Sequence, residues 1–150
     1  MSEGEYKGIL EKITSYLNKL NVEYQLSAEK NQITIPFKFK VNDSVYTCRI
    51  FISWTKDWIL CVAPLLSLSK FPPEVDREKF FKRLLLETYY LYEVTYGVTK
   101  GDTVVVHAET STKALSFENF STELKSVAYG AMHFVEKILP DFEKLSNIIF

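Results

Sequence analysis

Two cysteines, Cys48 and Cys61, are the strongest nucleophiles in the sequence. A nucleophilic cysteine needs a base, and the two imidazoles of the chain belong to His107 and His133. The spacing of these four residues gives no reason to bring a thiol next to an imidazole. Because a free cysteine is usually a small buried hydrophobic residue, we predict structural thiols, no catalytic residue and no enzymatic activity.

A metal site is the second kind of chemistry to consider. His107 and Glu109 are two residues apart, so they share one face of a strand and could begin such a site. Zinc requires three or four ligands, and no second pair of histidine and carboxylate completes the set. The carboxylates of Glu74, Asp76 and Glu78 lie near a predicted helix start, where acidic residues complement the helix dipole. With no glycine-rich phosphate loop present, the sequence predicts no metal and no cofactor.

Length and composition limit the class of protein. The chain has 150 residues, of which 47% are hydrophobic and 25% charged, and its net charge is −1. Since domains commonly contain about 100–200 residues, we predict one domain over residues 1–150 with a substantial core. The balanced charge gives no bias toward nucleic acid or an anionic membrane. The acidic start of the chain, and the lack of any apolar run near the ~20 residues that span a bilayer, predict a cytoplasmic protein.

The first half of the chain predicts one helix and a four-stranded meander. Apolar residues recur every three or four positions over residues 5–20, which is typical of an amphipathic helix. The apolar period then changes to two, as in half-buried strands. The predicted strands cover residues 22–26, 33–41, 46–54 and 58–63. Reversals at Glu29-Lys30 and Asn42-Asp43 each place apolar residues opposite apolar residues, and a third reversal is expected at residues 55–57.

The second half predicts a helix, a hairpin and a long helix. Pro72-Pro73 ends the strand region, and a helix follows from Val75 to about Tyr92 with more apolar positions than one buried stripe needs. Two strands flank Lys100-Gly101, where we expect the glycine to supply the turn dihedrals. The last helix runs from about Phe117 to Ile138, and Pro140 begins a short terminal helix or a kink. The fold class is α+β, with an antiparallel sheet and three main helices in the order α-ββββ-α-ββ-α.

This order of elements resembles the type III secretion chaperone-like superfamily, especially its YbjN-type bacterial and archaeal members. The resemblance rests on the step from helix to strand over residues 20–24, on Pro72-Pro73-Glu74, on residues 84–88, and on Tyr96-Gly97-Val98. It implies a non-enzymatic protein-binding platform, commonly dimeric through the central helix and neighbouring strands. The implied partners are a second copy of the chain and a client protein or peptide.

The outer face of the predicted meander is the candidate partner surface. A reversal near residue 56 pairs Cys61 with about Phe51, so Cys61 points away from the core face that holds Cys48, which disfavours a disulfide. The same register turns Phe51, Ile59, Cys61 and Leu65 outward as an apolar cluster. Such a cluster must be covered, either by the chain's own first or last helix or by another subunit. Both alternatives remain open from the sequence.

Charged residues surround this cluster, and the helix after Pro72-Pro73 adds further apolar positions. The predicted partner or dimer surface comprises Lys38, Arg49, Phe51, Ile59, Cys61, Leu65, Leu86 and Tyr90. An alternative function is nucleic-acid binding, in which Lys38, Lys40 and Arg49 neutralise phosphates and Phe51 stacks on a base. Three cations and one aromatic residue are few for that purpose, and a pI near 6.1 disfavours it.

Overall fold

The computed structural model describes residues 1–27, 29 and 31–150. The helices are α1 (Glu3–Lys19), α2 (Arg77–Tyr90) and α3 (Phe117–His133). The strands are β1 (Gln25–Ser27), β2 (Gln32–Val41), β3 (Ser44–Trp54), β4 (Trp58–Ser67), β5 (Thr95–Val98) and β6 (Thr103–Ser111). A π-helical turn, Phe134–Ile138, and a 3-10 segment, Leu139–Leu145, continue α3, and Pro140 lies at the start of that segment as predicted. Among the described residues, no helix has the length and apolarity to cross a bilayer.

The strands form one antiparallel sheet in the order β1-β2-β3-β4-β6-β5, which confirms the predicted meander, hairpin and α+β class. β2 and β3 pair in the predicted register, and Asn42 turns the chain with a φ of 54°. β1 also has the predicted register, with Leu26 opposite Ile33, but it begins at Gln25 rather than Val22. The predicted turn at Glu29-Lys30 lies partly outside the described residues.

The predicted register between β3 and β4 is wrong by one residue. Thr55 N–H donates to the Trp58 carbonyl at 2.8 Å, which closes a two-residue turn in place of the expected three-residue reversal. Cys61 therefore lies opposite Ile52, not Phe51. Because side chains alternate along a strand, a slip of one residue transfers every β4 side chain to the other face.

The correction places Ile59, Cys61 and Leu65 in the core, where all three are buried. The helices α1 and α3 lie on this side of the sheet, and α3 contacts both β4 and β6. Ile13 and Leu17 of α1 are also buried. Intramolecular cover thus accounts for the three side chains, and the prediction that they face outward is wrong.

The turn of the β5–β6 hairpin forms at the predicted place with a different residue in the left-handed conformation. Thr99 N–H donates to the Thr103 carbonyl at 2.9 Å. Asp102 takes a φ of 59°, whereas Gly101 keeps a negative φ. A short polar side chain tolerates the left-handed region, so the glycine is not required there.

The helix α2 is held by one stripe of its surface. It begins at Arg77 rather than Val75, because the Asp76 side chain caps it by accepting from Lys79 N–H at 3.1 Å. The ring of Phe80 is buried, with its centroid 5.3 Å from that of Phe71 and 5.3 Å from that of Phe142. The apolar composition of α2 led us to expect a second packing partner on its opposite side. Among the described residues, no element covers that side.

Candidate protein-interaction surfaces

The two thiols are buried and free, and they share the core face instead of pointing to opposite faces. Because Cys61 lies opposite Ile52, it is offset from Cys48 by four residues along β3, roughly 13 Å. That distance exceeds what a disulfide spans. Burial raises the pKa of the Cys48 thiol and of the Cys61 thiol to about 12.

We expect neither thiol to react with Ellman's reagent in the folded protein at pH 8. A thiol with a pKa of about 12 is ionised to roughly one part in ten thousand at that pH, and the thiolate is the reacting form. Both thiols of each chain should react with the reagent once guanidinium unfolds the protein. One fast equivalent in the native state would show that a thiol is accessible and active.

The two histidines each contact a carboxylate, at different places in the fold. His107 Nδ1 lies 2.6 Å from Glu109 Oε1 on β6. His133 Nε2 lies 3.0 Å from Glu87 Oε2, between α3 and α2. Over residues 1–27, 29 and 31–150, no three His, Cys, Asp or Glu side chains are grouped so that they could hold a metal ion.

Glu87 belongs to a network that ties α2 to the segment after α3. Arg83 Nε donates to Glu87 Oε1 at 2.7 Å, Nη1 donates to Asp141 at 2.5 Å, and Nη2 donates to the Lys137 carbonyl at 3.0 Å. Burial acts to raise the pKa of Glu87, but the hydrogen bonds from Arg83 and His133 outweigh it and lower the pKa. The network fixes the orientation of α2, and hence of its exposed side.

Replacing Glu87 with glutamine should destabilise the protein by about 1–2 kcal/mol at pH 7, since hydrogen bonds to charged groups are involved. The pKa of Glu87 is lower in the folded state than its ordinary value of 4.5. The carboxylate therefore stabilises the fold at pH values above 4.5, and this stabilisation is lost as the pH falls below that value. Urea denaturation at pH 7 and pH 3 checks this. The difference between Glu87→Gln and wild type should shrink at pH 3, whereas exposed Glu11→Gln should differ little at either pH.

The exposed side of α2 carries four large apolar side chains, which we call the α2 face: Leu85, Leu86, Tyr89 and Tyr90. Their exposed fractions are 69%, 46%, 81% and 72%. The predicted residues Leu86 and Tyr90 lie here, and helical periodicity places the two others beside them. Next to this face, Leu85 and Phe81 border an apolar groove of about 280 Å³ with Val98 of β5.

The outer side of the sheet, away from α1 and α3, carries the second apolar surface. Phe51 of β3 lies directly opposite Val62 of β4, and Leu60 and Pro64 share the Val62 side of that strand. We call these four half-buried residues the outer patch. In the structure, Leu60, Val62 and Pro64 occupy the outer positions of β4 that we predicted for Ile59, Cys61 and Leu65. Sequence reasoning missed them because β4 is apolar on both faces, so alternation could not orient it.

The predicted cations lie beside the outer patch. The β2–β3 register puts Arg49 opposite Pro36 and Lys38 opposite Thr47, on the same side of the sheet as Phe51. Within the described residues, Lys38, Lys40 and Arg49 form no ion pair, so their charges face solvent. The chain therefore has two apolar surfaces, the α2 face and the outer patch, and the second has a basic rim.

Comparison with known proteins gives structural neighbours alone. No protein-family model matches the sequence, and no curated protein matches it significantly. A chain of the HopA1–SchA chaperone–effector complex aligns with a TM-score of 0.58 at 7% identity, over 88% of this chain and 96% of that one. A chain of the ExoU–SpcU complex from the type III secretion system of Pseudomonas aeruginosa aligns with a TM-score of 0.52 at 14% identity, over 81% and 93%.

A third neighbour is in the complex of the Yersinia pestis type III secretion chaperone SycH with a fragment of YscM2. Its TM-score is 0.51 at 10% identity, over 81% of this chain and 95% of that one. The resemblance is thereby confirmed at the level of the fold, and the YbjN-type subgroup stays a prediction. The chain has the α+β fold of the type III secretion chaperones.

Proposed function

We propose that this protein is a non-enzymatic, chaperone-like module that binds other proteins and works as a homodimer. The observation that carries the proposal is the α2 face, whose four large apolar side chains lie in solvent on a helix that is otherwise firmly anchored. Contiguous exposed apolar surface on a soluble protein commonly marks an interaction site. The structural neighbours are chaperones in complexes with protein partners, which supports the same role.

A second copy of this chain is the occupant we assign to the α2 face. An interface around a two-fold axis must be complementary to itself. Glu78 and Lys82, both exposed and one helical turn apart, lie on the same side of α2 and precede the four apolar residues. A two-fold axis through the α2 face near Leu86 and Tyr89 would place the apolar residues of two antiparallel helices against each other and leave these charges at the margin.

The outer patch is the surface we assign to a client protein. Phe51 and Val62 form a cross-strand apolar pair, and such pairs are effective anchors when a partner removes them from water. Lys38 and Arg49 at the rim favour a client segment that carries carboxylates. Client binding and dimerisation would use different residues, so each can be removed without the other.

The test of the client surface is a pulldown from the native host. Proteins recovered with wild type should be lost with Phe51→Asp and with Val62→Asp, because each change buries a charge in the contact. Lys12→Glu on the exposed side of α1 is the control and should recover the same proteins. Equal recovery by all four would reject the outer patch as a client surface.

Nucleic-acid binding is the alternative use of the same side of the sheet, since Lys38, Arg49 and Phe51 lie together there. The aliphatic neighbours Leu60, Val62 and Pro64 favour a protein partner, because bases stack on aromatic rings. Fluorescence anisotropy with a labelled single-stranded oligonucleotide at low salt distinguishes the two. We expect no binding at micromolar protein.

A further inference from the structure

The pair His107 and Glu109 lies beside the outer patch, on the side opposite to its basic rim. β6 places His107 directly opposite Val62 of β4, and it places Glu109 directly opposite Leu60. Residues directly opposite each other in an antiparallel pair share one side of the sheet, so both side chains belong to the outer side. Two strand spacings, roughly 10 Å, separate β6 from β3, which carries Arg49. The apolar centre of the patch therefore lies between a cationic side and a histidine.

Two contacts hold the imidazole of His107 in one orientation. Its Nδ1 atom lies 2.6 Å from Glu109 Oε1, and an ionised carboxylate accepts hydrogen bonds but does not donate them, so Nδ1 carries the proton. The ring also lies over Gly97 of β5, where an added Cβ atom would be 3.1 Å from His107 Nε2 and 3.3 Å from its Cδ2. A glycine on β5 thus leaves the room that the ring occupies.

The second nitrogen of His107, Nε2, is available to a partner. It forms no hydrogen bond with the residues that the structure describes, and among these the buried side-chain polar atom without a partner is Trp54 Nε1. Nε2 therefore reaches solvent, and the side chain of His107 is 26% exposed. With the proton on Nδ1, a neutral imidazole offers a lone pair at Nε2, whereas a protonated imidazole offers an N–H donor and a positive charge there.

His107 has carboxylates around it. Glu109 contacts it from the same strand, whereas the residues across from it on β4 and β5 are uncharged. Burial raises the pKa of Glu123 on α3, and the charges of Glu93 and Glu109 raise it further, so these three carboxylates lie near one another. Histidine is the side-chain type whose charge ordinarily changes between pH 5 and 8. Acidification in that range therefore adds positive charge to the side of the patch that otherwise carries negative charge.

We propose that His107 is a recognition residue of the outer patch and that it acts at mildly acidic pH. Its protonated Nε2 donates to a carboxylate of the client, while Arg49 binds a second carboxylate on the opposite side of the patch. The client segment that fits has apolar residues with acidic residues on both sides, and it binds more tightly at pH 5.5 than at pH 7.5. The client rests on the proposed function, whereas the orientation of His107 is a property of the fold.

An apolar dianion tests this with the whole chain. The probe is the fluorescent dye bis-ANS, whose aromatic rings carry two sulfonates that stay ionised at both pH values. In fluorescence titrations, wild type should bind it about three- to fivefold more tightly at pH 5.5 than at pH 7.5, because one exposed charge pair contributes modestly. His107→Gln should lose most of this pH dependence. The matched control is His133→Gln, which removes the histidine between α2 and α3 and should keep the wild-type pH dependence.

Nuclear magnetic resonance checks the orientation of His107 without any probe. Long-range nitrogen–proton spectra of wild type at pH 8 should show the imidazole proton on Nδ1, and Glu109→Gln should weaken this preference. The same pH dependence of dye binding in wild type and His107→Gln, its loss in His133→Gln, or a proton on Nε2 at pH 8 would overturn the proposal. Neither measurement depends on recovering a client, so the proposed function can fail or succeed separately.

Discussion

Tyr90→Asp is expected to convert the proposed dimer, of twice 17.4 kDa, into a 17.4 kDa monomer in size-exclusion chromatography with light scattering. In the monomer the side chain at position 90 is 72% exposed, so an aspartate there costs the fold little. In the proposed interface the same aspartate would be buried without a partner, which costs several kcal/mol. Dimer affinity should therefore fall at least a hundredfold, and Leu86→Asp should have the same effect.

Val45→Asp is the matched control for this experiment. Val45 is an apolar residue with 70% exposure, nearly that of Tyr90, but it lies on β3 away from α2. Its substitution should leave the mass of a dimer. Circular dichroism should show the same helix and strand content for all the variants. A wild-type protein that is already monomeric at high micromolar concentration, or variants that all remain dimeric, would reject the α2 face as the dimer contact.

The parts of the fold that the sequence predicted are those where one physical signal sufficed. β2 and β3 alternate apolar and polar residues, so their register follows from keeping one face apolar. β4 has apolar residues on both faces, so alternation is silent and the register depends on the length of the turn at Thr55. A hydrogen bond from Thr55 to Trp58, which no pattern encodes, decides between two and three residues and thereby decides where Cys61 points.

The candidate site also contains residues that a sequence pattern predicts and contacts that it does not. Leu86 and Tyr90 on α2 could be predicted as a surface because the helix has more apolar positions than one buried stripe needs. Lys38, Arg49 and Phe51 could be placed on the outer face from the β2–β3 register. The bridge between Ile149 and Leu66 could not be predicted, because it joins residues far apart in the chain beyond the point where β3 and β4 stop pairing.

Gly130→Ala adds a single methyl group to α3, and we expect it to destabilise the protein. A Cβ atom at position 130 would lie 2.5 Å from Val106 Cγ2 and 3.1 Å from Val94 Cγ1, and both valines are buried and cannot move aside cheaply. The Gly130 carbonyl also accepts a hydrogen bond from Tyr96 Oη at 2.8 Å, which a shift of α3 would stretch. Overpacking of this kind costs about 1–3 kcal/mol, so the melting temperature should fall by about 2–12 °C.

Gly8→Ala separates this packing effect from the general preference of helices for alanine. Gly8 also lies inside a helix, but a Cβ atom there has no neighbour within 4 Å, so the change should stabilise the protein by about 0.5–1 kcal/mol. Val106→Ala makes room beneath position 130, and Gly130→Ala should therefore cost less in that background than in wild type. Differential scanning calorimetry of wild type, the three single variants and the double variant measures all three effects. Shifts of opposite sign for the two glycines are the result expected from close contact of α3 with β6, and a stabilising Gly130→Ala would contradict that contact.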